Sequence, residues 1–213
     1  MLFAKEWSFI HIPRTGGVNF RHHALKNPDV QECNFAPEGI EHRVWIHNPP
    51  VYWYEHVPHL SSNWITLVRN PYERYLSLYF HLKKTSGKSE FKAQGKWKTT
   101  DEQTFEDFVH ADKLCRIWDY RNVFNNPWAL YDRQGIAWRP YWNQIDWCQG
   151  YDVQHFRLED QLDKLALVTG VDMKSTQQNA TQHGPWKDYY SKDLREVVYS
   201  RYERDFCAFG YSK

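Results

Sequence analysis

The chain has 213 residues and a net charge of +1, so its length suits one α/β domain and its charge gives no general attraction to nucleic acid or to an anionic membrane. Aromatic residues make up 17% of the chain, with 11 tryptophans, which favours a compact fold with aromatic-lined surfaces of the kind that sugars occupy. The apolar runs are far too short to span a membrane, and no signal peptide or anchor fits before the first strand.

The cysteines are widely spaced and form no Cys-x-x-Cys pair, and no histidine stands at a metal-finger distance from them; they are Cys33, Cys115, Cys148 and Cys207. This pattern predicts free thiols in a reducing compartment and no metal centre. Together with the start at Met1, it predicts a cytoplasmic protein, with a chain trimmed at its N-terminus as the alternative.

The first predicted element is a short apolar strand, Ser8 to Ile12, which Pro13 ends because proline cannot donate a ladder hydrogen bond. Gly16 and Gly17 then permit a tight turn and close approach to a ligand. A helix begins after the turn. Its first backbone N–H groups, its dipole and Arg14 together predict an anion site for a phosphate or sulfate group.

This glycine turn differs from the Walker A loop, in which a Lys-Ser/Thr pair follows the last glycine and the hydroxyl holds magnesium. Here Val18 and Asn19 follow the glycines. We therefore expect an anion held without a metal ion.

The helix that follows is predicted over residues 18–26, with Phe20 and Leu25 in the core and the side chains of His22 and His23 on the exposed side. Two proline-containing stretches then indicate loop over residues 27–43, with room for one short strand. A strand tip at residues 44–47 and a short helix over residues 51–56 complete this part.

The run Trp64–Val68 is apolar and β-branched, as expected of a buried parallel strand. A helix follows, because Asn70 can cap it and Pro71 suits its first position. Arg69 thus stands at the carboxyl end of a strand, where open α/β sheets bind ligands.

Six lysines within residues 83–98 predict a solvated loop, or a basic lip for an anionic acceptor. A helix is predicted over residues 104–112, capped by Thr104 or Asp101. Residues 115–150 are rich in tryptophan, which fits either an acceptor surface or core packing. Residues 151–157 read as a strand, a helix follows to about Gly170, and Ser191 caps the last helix.

Two stretches together carry a family resemblance: His-Ile-Pro-Arg-Thr-Gly-Gly at residues 11–17 and Val-Arg-Asn-Pro-Tyr-Glu-Arg-Tyr-Leu-Ser at residues 68–77. The pair resembles the signatures of sulfotransferases that use 3′-phosphoadenosine 5′-phosphosulfate (PAPS). It looks closest to the carbohydrate branch, and within it to uronyl 2-O-sulfotransferases, which also carry Pro-Arg-Thr-Gly. The resemblance implies one P-loop-like α/β domain over residues 1–213, with a central, mainly parallel sheet flanked by helices.

The resemblance also implies roles for residues. The first motif would bind the 5′-phosphosulfate through Arg14, Thr15, Gly16, Gly17, Val18 and Asn19. The second would bind the 3′-phosphate through Arg69 and Ser77. In relatives a loop before the last helix closes over the nucleotide, which makes Lys187 a further candidate. Arg14 would also stabilise the leaving group during catalysis.

The catalytic base is predicted to be His47, which follows a predicted strand and precedes the second motif, as the histidine of the uronyl branch does. That branch has His-Gly-His, whereas this chain has Trp45-Ile46-His47. His42 and Glu41 therefore stay open as alternatives, since other branches use a glutamate.

The expected acceptor is a hydroxylated molecule, most naturally a glycan, and the sequence leaves its identity and the oligomeric state open. Two other classes remain: a nucleotide or sugar kinase, and an inactive module that binds a nucleotide or glycan. The missing Walker lysine and magnesium hydroxyl count against the kinase.

Overall fold

The computed structural model describes residues 1–33, 50, 53, 57, 60–85, 104–110, 143–173 and 183–213. Its contacts divide the chain into two compact units, each assembled from two stretches of sequence. The first unit comprises Met1–Arg69 and Asn126–Asn179, and the second comprises Asn70–Asn125 and Ala180–Lys213. The organisation of residues 1–213 as one domain stays a prediction.

The first unit contains a five-stranded sheet in the order β3-β1-β2-β4-β5. Its strands are β1 (Leu2–Phe3), β2 (Ser8–Ile10), β3 (Gln31–Glu32), β4 (Trp64–Val68) and β5 (Val153–Arg157). Strands β2, β4 and β5 pair in parallel. Strand β1 is antiparallel to both β2 and β3, so four of the five strands run in one direction.

Strand β4 lies at the centre of the parallel part and all five of its residues are buried. Its register aligns Trp64 with Ser8 of β2 and Val68 with Arg157 of β5. A strand covered on both faces is expected to be apolar throughout, which explains why the run reads as Trp-Ile-Thr-Leu-Val. Its one hydroxyl is satisfied, since Thr66 Oγ1 donates to the carbonyl oxygen of Ile10 at 2.8 Å.

Two helices of the first unit, α1 (Gly17–Ala24) and α4 (Leu162–Thr169), pack on the sheet. Phe20 of α1 and Leu165 of α4 belong to the same buried cluster as Phe9 of β2 and Leu67 of β4. The rings of Phe9 and Phe20 have centroids 4.3 Å apart. Each such side chain contributes about 1.5–3 kcal/mol by leaving water, so this cluster holds α1 against β2.

The described part of the second unit is helical, and its buried residues are largely aromatic. The helices among its described residues are α2 (Pro71–Thr85), α3 (Phe105–His110), a short 3₁₀ helix (Trp186–Asp188) and α5 (Lys192–Phe209). Tyr72 packs edge-on against Phe206, with ring centroids 4.9 Å apart. The hydroxyl of Tyr190 donates to the carbonyl oxygen of Tyr72 at 3.0 Å, and burial raises the pKa of Tyr190 well above its ordinary value.

The predicted caps of these helices are confirmed. Asn70 Oδ1 accepts a hydrogen bond from Tyr72 N at 2.9 Å, and Thr104 Oγ1 accepts one from Asp107 N at 3.1 Å. Ser191 Oγ accepts from Leu194 N at 3.2 Å. Helix α4 ends at Gly170, whose φ of 70° is the left-handed conformation of a glycine cap.

The mixed α/β class and the mostly parallel sheet are confirmed. Two predictions about α1 are wrong: Leu25 is exposed and His23 is buried. The helix ends at Ala24, which leaves Leu25 beyond it, and the apolar face is therefore completed by His23. The two-residue strands β1 and β3 are too short to carry a periodic signal.

Trp147 is fully buried, so its ring packs in the core rather than on an acceptor surface. Cys33, Cys148 and Cys207 are free thiols, as predicted. Within the described parts of the chain, no helix is both long and apolar enough to cross a membrane. The cytoplasmic location stays a prediction.

Candidate anion-binding site

A tight turn over residues 13–16 joins β2 to α1. Thr15 is buried, and its hydroxyl donates to the carbonyl oxygen of Ile12 at 2.9 Å. This hydrogen bond stabilises the turn. Arg14 has a φ of 68° and Gly16 a φ of 91°. The left-handed conformation costs a residue other than glycine about 1–2 kcal/mol, so the turn holds Arg14 in a backbone conformation that it would not adopt freely.

Neighbouring side chains leave little room for a Cβ atom at Gly16 and Gly17, and the positive φ of Gly16 also favours glycine there. A Cβ atom on Gly16 would lie 2.8 Å from Cδ1 of Leu158. A Cβ atom on Gly17 would lie 2.9 Å from Cγ of His11, and closer still to two other atoms of that ring. The buried ring of His11 and the side chain of Leu158 thus pack directly against the start of α1.

The start of α1 suits a negatively charged ligand. The first hydrogen bond of the helix runs from Phe20 N to the carbonyl oxygen of Gly16 at 3.1 Å, so the N–H groups of residues 17–19 precede it. The first turn carries no acidic residue, while Arg14, two residues before Gly16, is half-buried and Val18 is exposed. Asn19 is buried. The positive end of the α1 dipole and the positive charge of Arg14 therefore both favour an anion at this place.

The sheet places three arginines at one edge. Because β2, β4 and β5 are parallel neighbours, the residues at their carboxyl ends lie on the same side of the sheet. Arg14 follows β2, Arg69 follows β4 and Arg157 ends β5. In the first unit, the Arg14 turn and Arg69 therefore follow neighbouring parallel strands at the same edge of the sheet.

Arg157 is held by a neighbouring carboxylate. Its Nε and Nη2 lie 2.9 and 2.6 Å from the two carboxylate oxygens of Asp160. Its backbone N–H donates to Gln161 Oε1 at 2.9 Å. Partial burial and then the positive charge of Arg157 lower the pKa of His155 on the same strand.

The other two predicted nucleotide residues lie in the second unit. Ser77 is a buried residue of α2. Lys187 is exposed on the short helix Trp186–Asp188, with its Nζ 5.9 Å from the ring centroid of Trp186. That ring stacks on Tyr72 at 4.6 Å. The roles of Ser77 and Lys187 in nucleotide binding stay predictions.

The predicted base and its alternatives, His47, His42 and Glu41, lie outside the described residues. The roles of these three residues therefore stay predictions. In the described part of the chain, no group of three or more histidine, cysteine, aspartate or glutamate side chains could hold a metal ion.

Three residues of the site went unnoticed in the sequence: His11, Leu158 and Gln144. The first two shape the turn through contacts with Gly17 and Gly16, and Gln144 bonds to the backbone of Arg69. His11 is the first residue of the first motif, but the motif assigns it no role in shaping the turn. Leu158 and Gln144 belong to no motif whose spacing signals a site.

Comparison with known families gives a match over almost the whole chain. A family described as "Sulfotransferase family" matches residues 6–212. No curated protein and no solved structure matches the chain.

The contact between Gly17 and His11 predicts the effect of adding one methyl group. Gly17→Ala should lower the free energy of unfolding by about 1–3 kcal/mol, the usual cost of overpacking a buried site. In a His11→Ala background the ring is absent, so the same change should cost less than about 1 kcal/mol. Urea denaturation of the four proteins measures both costs. Equal costs in the two backgrounds would contradict the assignment of this constraint to His11.

Proposed function

The chain belongs to the sulfotransferase family, and from that premise we propose that it transfers a sulfuryl group from PAPS to a hydroxyl group of a carbohydrate. The observation that carries this proposal is the turn of residues 13–16, which brings Arg14 and the N-terminus of α1 to the carboxyl edge of the sheet. A cation and a helix N-terminus at one place favour a phosphosulfate group.

Membership of this family supports the proposal that residues 1–213 form one P-loop-like domain. In this proposal the 5′-phosphosulfate contacts Arg14, Thr15, Gly16, Gly17, Val18 and Asn19. Thr15 contributes its backbone, since its hydroxyl is directed at Ile12. Arg69 and Ser77 bind the 3′-phosphate, with Lys187 as a further contact.

The reaction proposed is an in-line displacement at sulfur. A bond forms between the acceptor oxygen and sulfur, while the bond from sulfur to the bridging oxygen of the 5′-phosphate breaks and its electron pair stays on that oxygen. The proton of the acceptor hydroxyl passes to a base. The products are a sulfate ester and adenosine 3′,5′-bisphosphate. Such a reaction depends on alignment and on charge stabilisation more than on covalent catalysis.

Arg14 would stabilise the charge that grows on the leaving phosphate. Its guanidinium stays protonated, so it acts as a hydrogen-bond donor and a positive charge rather than as a general acid. The left-handed backbone at Arg14 is fixed by the turn before any ligand arrives. A fixed backbone at the donor residue reduces the reorganisation that is needed when the transition state forms.

The carbohydrate acceptor and the base rest on the motif resemblance. Pro13-Arg14-Thr15-Gly16 has the wording found in the uronyl 2-O branch, which supports a uronate-containing glycan as acceptor. His47 is proposed as the base, with His42 and Glu41 as alternatives. An unperturbed histidine has a pKa of about 6.5 and can accept a proton near neutral pH.

Removal of the Arg14 side chain tests the leaving-group role. Arg14→Ala should lower kcat by about 10²–10³-fold, the usual loss when one donor to a developing charge is removed. Arginine and alanine would have the same left-handed backbone conformation at position 14, so the free energy of unfolding should change little. Lys26→Ala, on an exposed lysine beyond α1, is the matched control and should retain wild-type turnover. Near-normal turnover in Arg14→Ala would remove Arg14 from the mechanism.

A comparison of two histidine variants tests the base. His47→Ala should lower kcat by about 10²–10⁴-fold, the usual contribution of a general base. The wild-type rate should fall at acid pH, because a protonated imidazole cannot accept the acceptor's proton. His47→Ala should lose this acid limb, whereas His42→Ala should keep it. Binding of adenosine 3′,5′-bisphosphate, measured by calorimetry, should persist in both variants. An acid limb that survives in His47→Ala would assign the base elsewhere.

A further inference from the structure

The side chain of Gln144 forms a two-point hydrogen-bonded contact with the backbone of Arg69. Gln144 begins a short 3₁₀ helix, Gln144–Cys148, and is completely buried. Its Oε1 accepts a hydrogen bond from Arg69 N at 2.8 Å, and its Nε2 donates one to the carbonyl oxygen of Arg69 at 2.8 Å. One amide group therefore satisfies both polar backbone groups of Arg69.

This contact begins where the regular ladder of the sheet ends. Val68 is the last residue of β4, and its carbonyl oxygen accepts from Leu158 N at 2.9 Å. The chain after β5 then turns, with Gln161 N donating to the carbonyl oxygen of Arg157 at 3.0 Å. Arg69 is the next residue after β4, and the Gln144 amide supplies it with the donor and the acceptor that a neighbouring strand would have supplied.

We propose that Gln144 is the positioning residue for Arg69 and thereby sets the preference of the site for a nucleotide with a 3′-phosphate. The inference rests on the proposed function, in which Arg69 binds that phosphate. Two bonds to one residue's N–H and carbonyl fix its Cα atom and the direction in which its side chain leaves the backbone. A misplacement of about 1 Å in a positioned group can lower the rate of a catalysed reaction by about 10²-fold.

The contact needs one donor and one acceptor on the same side chain, which the amide supplies. An ionised glutamate would keep the acceptor but would bring a carboxylate oxygen against the carbonyl oxygen of Arg69. A methionine would fill the space and leave a buried N–H and a buried carbonyl without partners, which is unfavourable. Both changes preserve volume, so each alters the hydrogen bonds more than the packing.

The chain contains a matched control on the neighbouring strand. Gln161 Oε1 accepts from the backbone N–H of Arg157 at 2.9 Å. This is again a glutamine side chain bonded to the backbone of an arginine at the carboxyl edge. Arg157 is bound by Asp160 and has no place in the proposed nucleotide site. Loss of the Gln161 amide should therefore leave nucleotide preference unchanged.

The test measures binding of adenosine 3′,5′-bisphosphate and of 5′-AMP by calorimetry in the full chain. Wild type should bind the bisphosphate more tightly. Gln144→Met, and Gln144→Glu at a pH that ionises the new carboxyl group, should weaken bisphosphate binding by about 10- to 100-fold and leave 5′-AMP binding unchanged. Arg69→Ala should weaken bisphosphate binding by the same factor. The double variant Arg69→Ala, Gln144→Met should bind little more weakly than either single variant, because both changes remove the same contact between Arg69 and the 3′-phosphate. Gln161→Met should keep the wild-type preference.

Three results would overturn the inference. A preference for bisphosphate that survives both Gln144 variants would show that Arg69 does not need the amide. An equal loss of affinity for both nucleotides would assign Gln144 a general structural role. A wild-type protein without any preference would overturn the proposed function, and this inference with it, which separates that failure from the first two.

Discussion

The parallel pairing of β2, β4 and β5 is the constraint on which the candidate site depends. Because these neighbouring strands run in one direction, the Arg14 turn and Arg69 follow them at the same edge. An antiparallel arrangement of β2 and β4 would put the two arginines at opposite ends of the sheet. Strand β4 is fully buried between β2 and β5, and its apolar sequence fixes the register of this pairing. That register determines the positions of Arg14 and Arg69 along the edge of the sheet.

The parts of the site that local chemistry determines could be predicted from the sequence. Strand β2 ends at Ile10, two residues before the predicted end at Ile12. The turn that contains Gly16 and the helix after it are where they were predicted, because each residue type restricts the backbone at its own position. The residues of β4 and the cap at Asn70 are predicted for the same reason. The family match over residues 6–212 agrees with the two motifs, and the assignment of individual site residues remains our proposal.

The contacts that hold these parts together could not be predicted, since they join residues far apart in the chain. Gln144 is separated from Arg69 by 75 positions, and nothing in its neighbourhood signals an amide bonded to a strand end. Leu158 and His11 limit what can stand at Gly16 and Gly17, although a glycine pair alone indicates only a flexible turn. The exposure of Leu25 and the burial of His23 could not be predicted for the same reason, because tertiary packing decides which residues of this segment are buried.

The central claim is that this chain moves a sulfuryl group with the Arg14 turn as the anion clamp. The most direct measurement incubates the protein with PAPS labelled in its sulfate and with a panel of hydroxylated acceptors that includes uronate-containing glycans, in the presence of a chelator. The account predicts labelled acceptor and an equal amount of adenosine 3′,5′-bisphosphate. Binding of the bisphosphate without transfer to any acceptor would contradict it, as would phosphate transfer from ATP and magnesium in a parallel reaction.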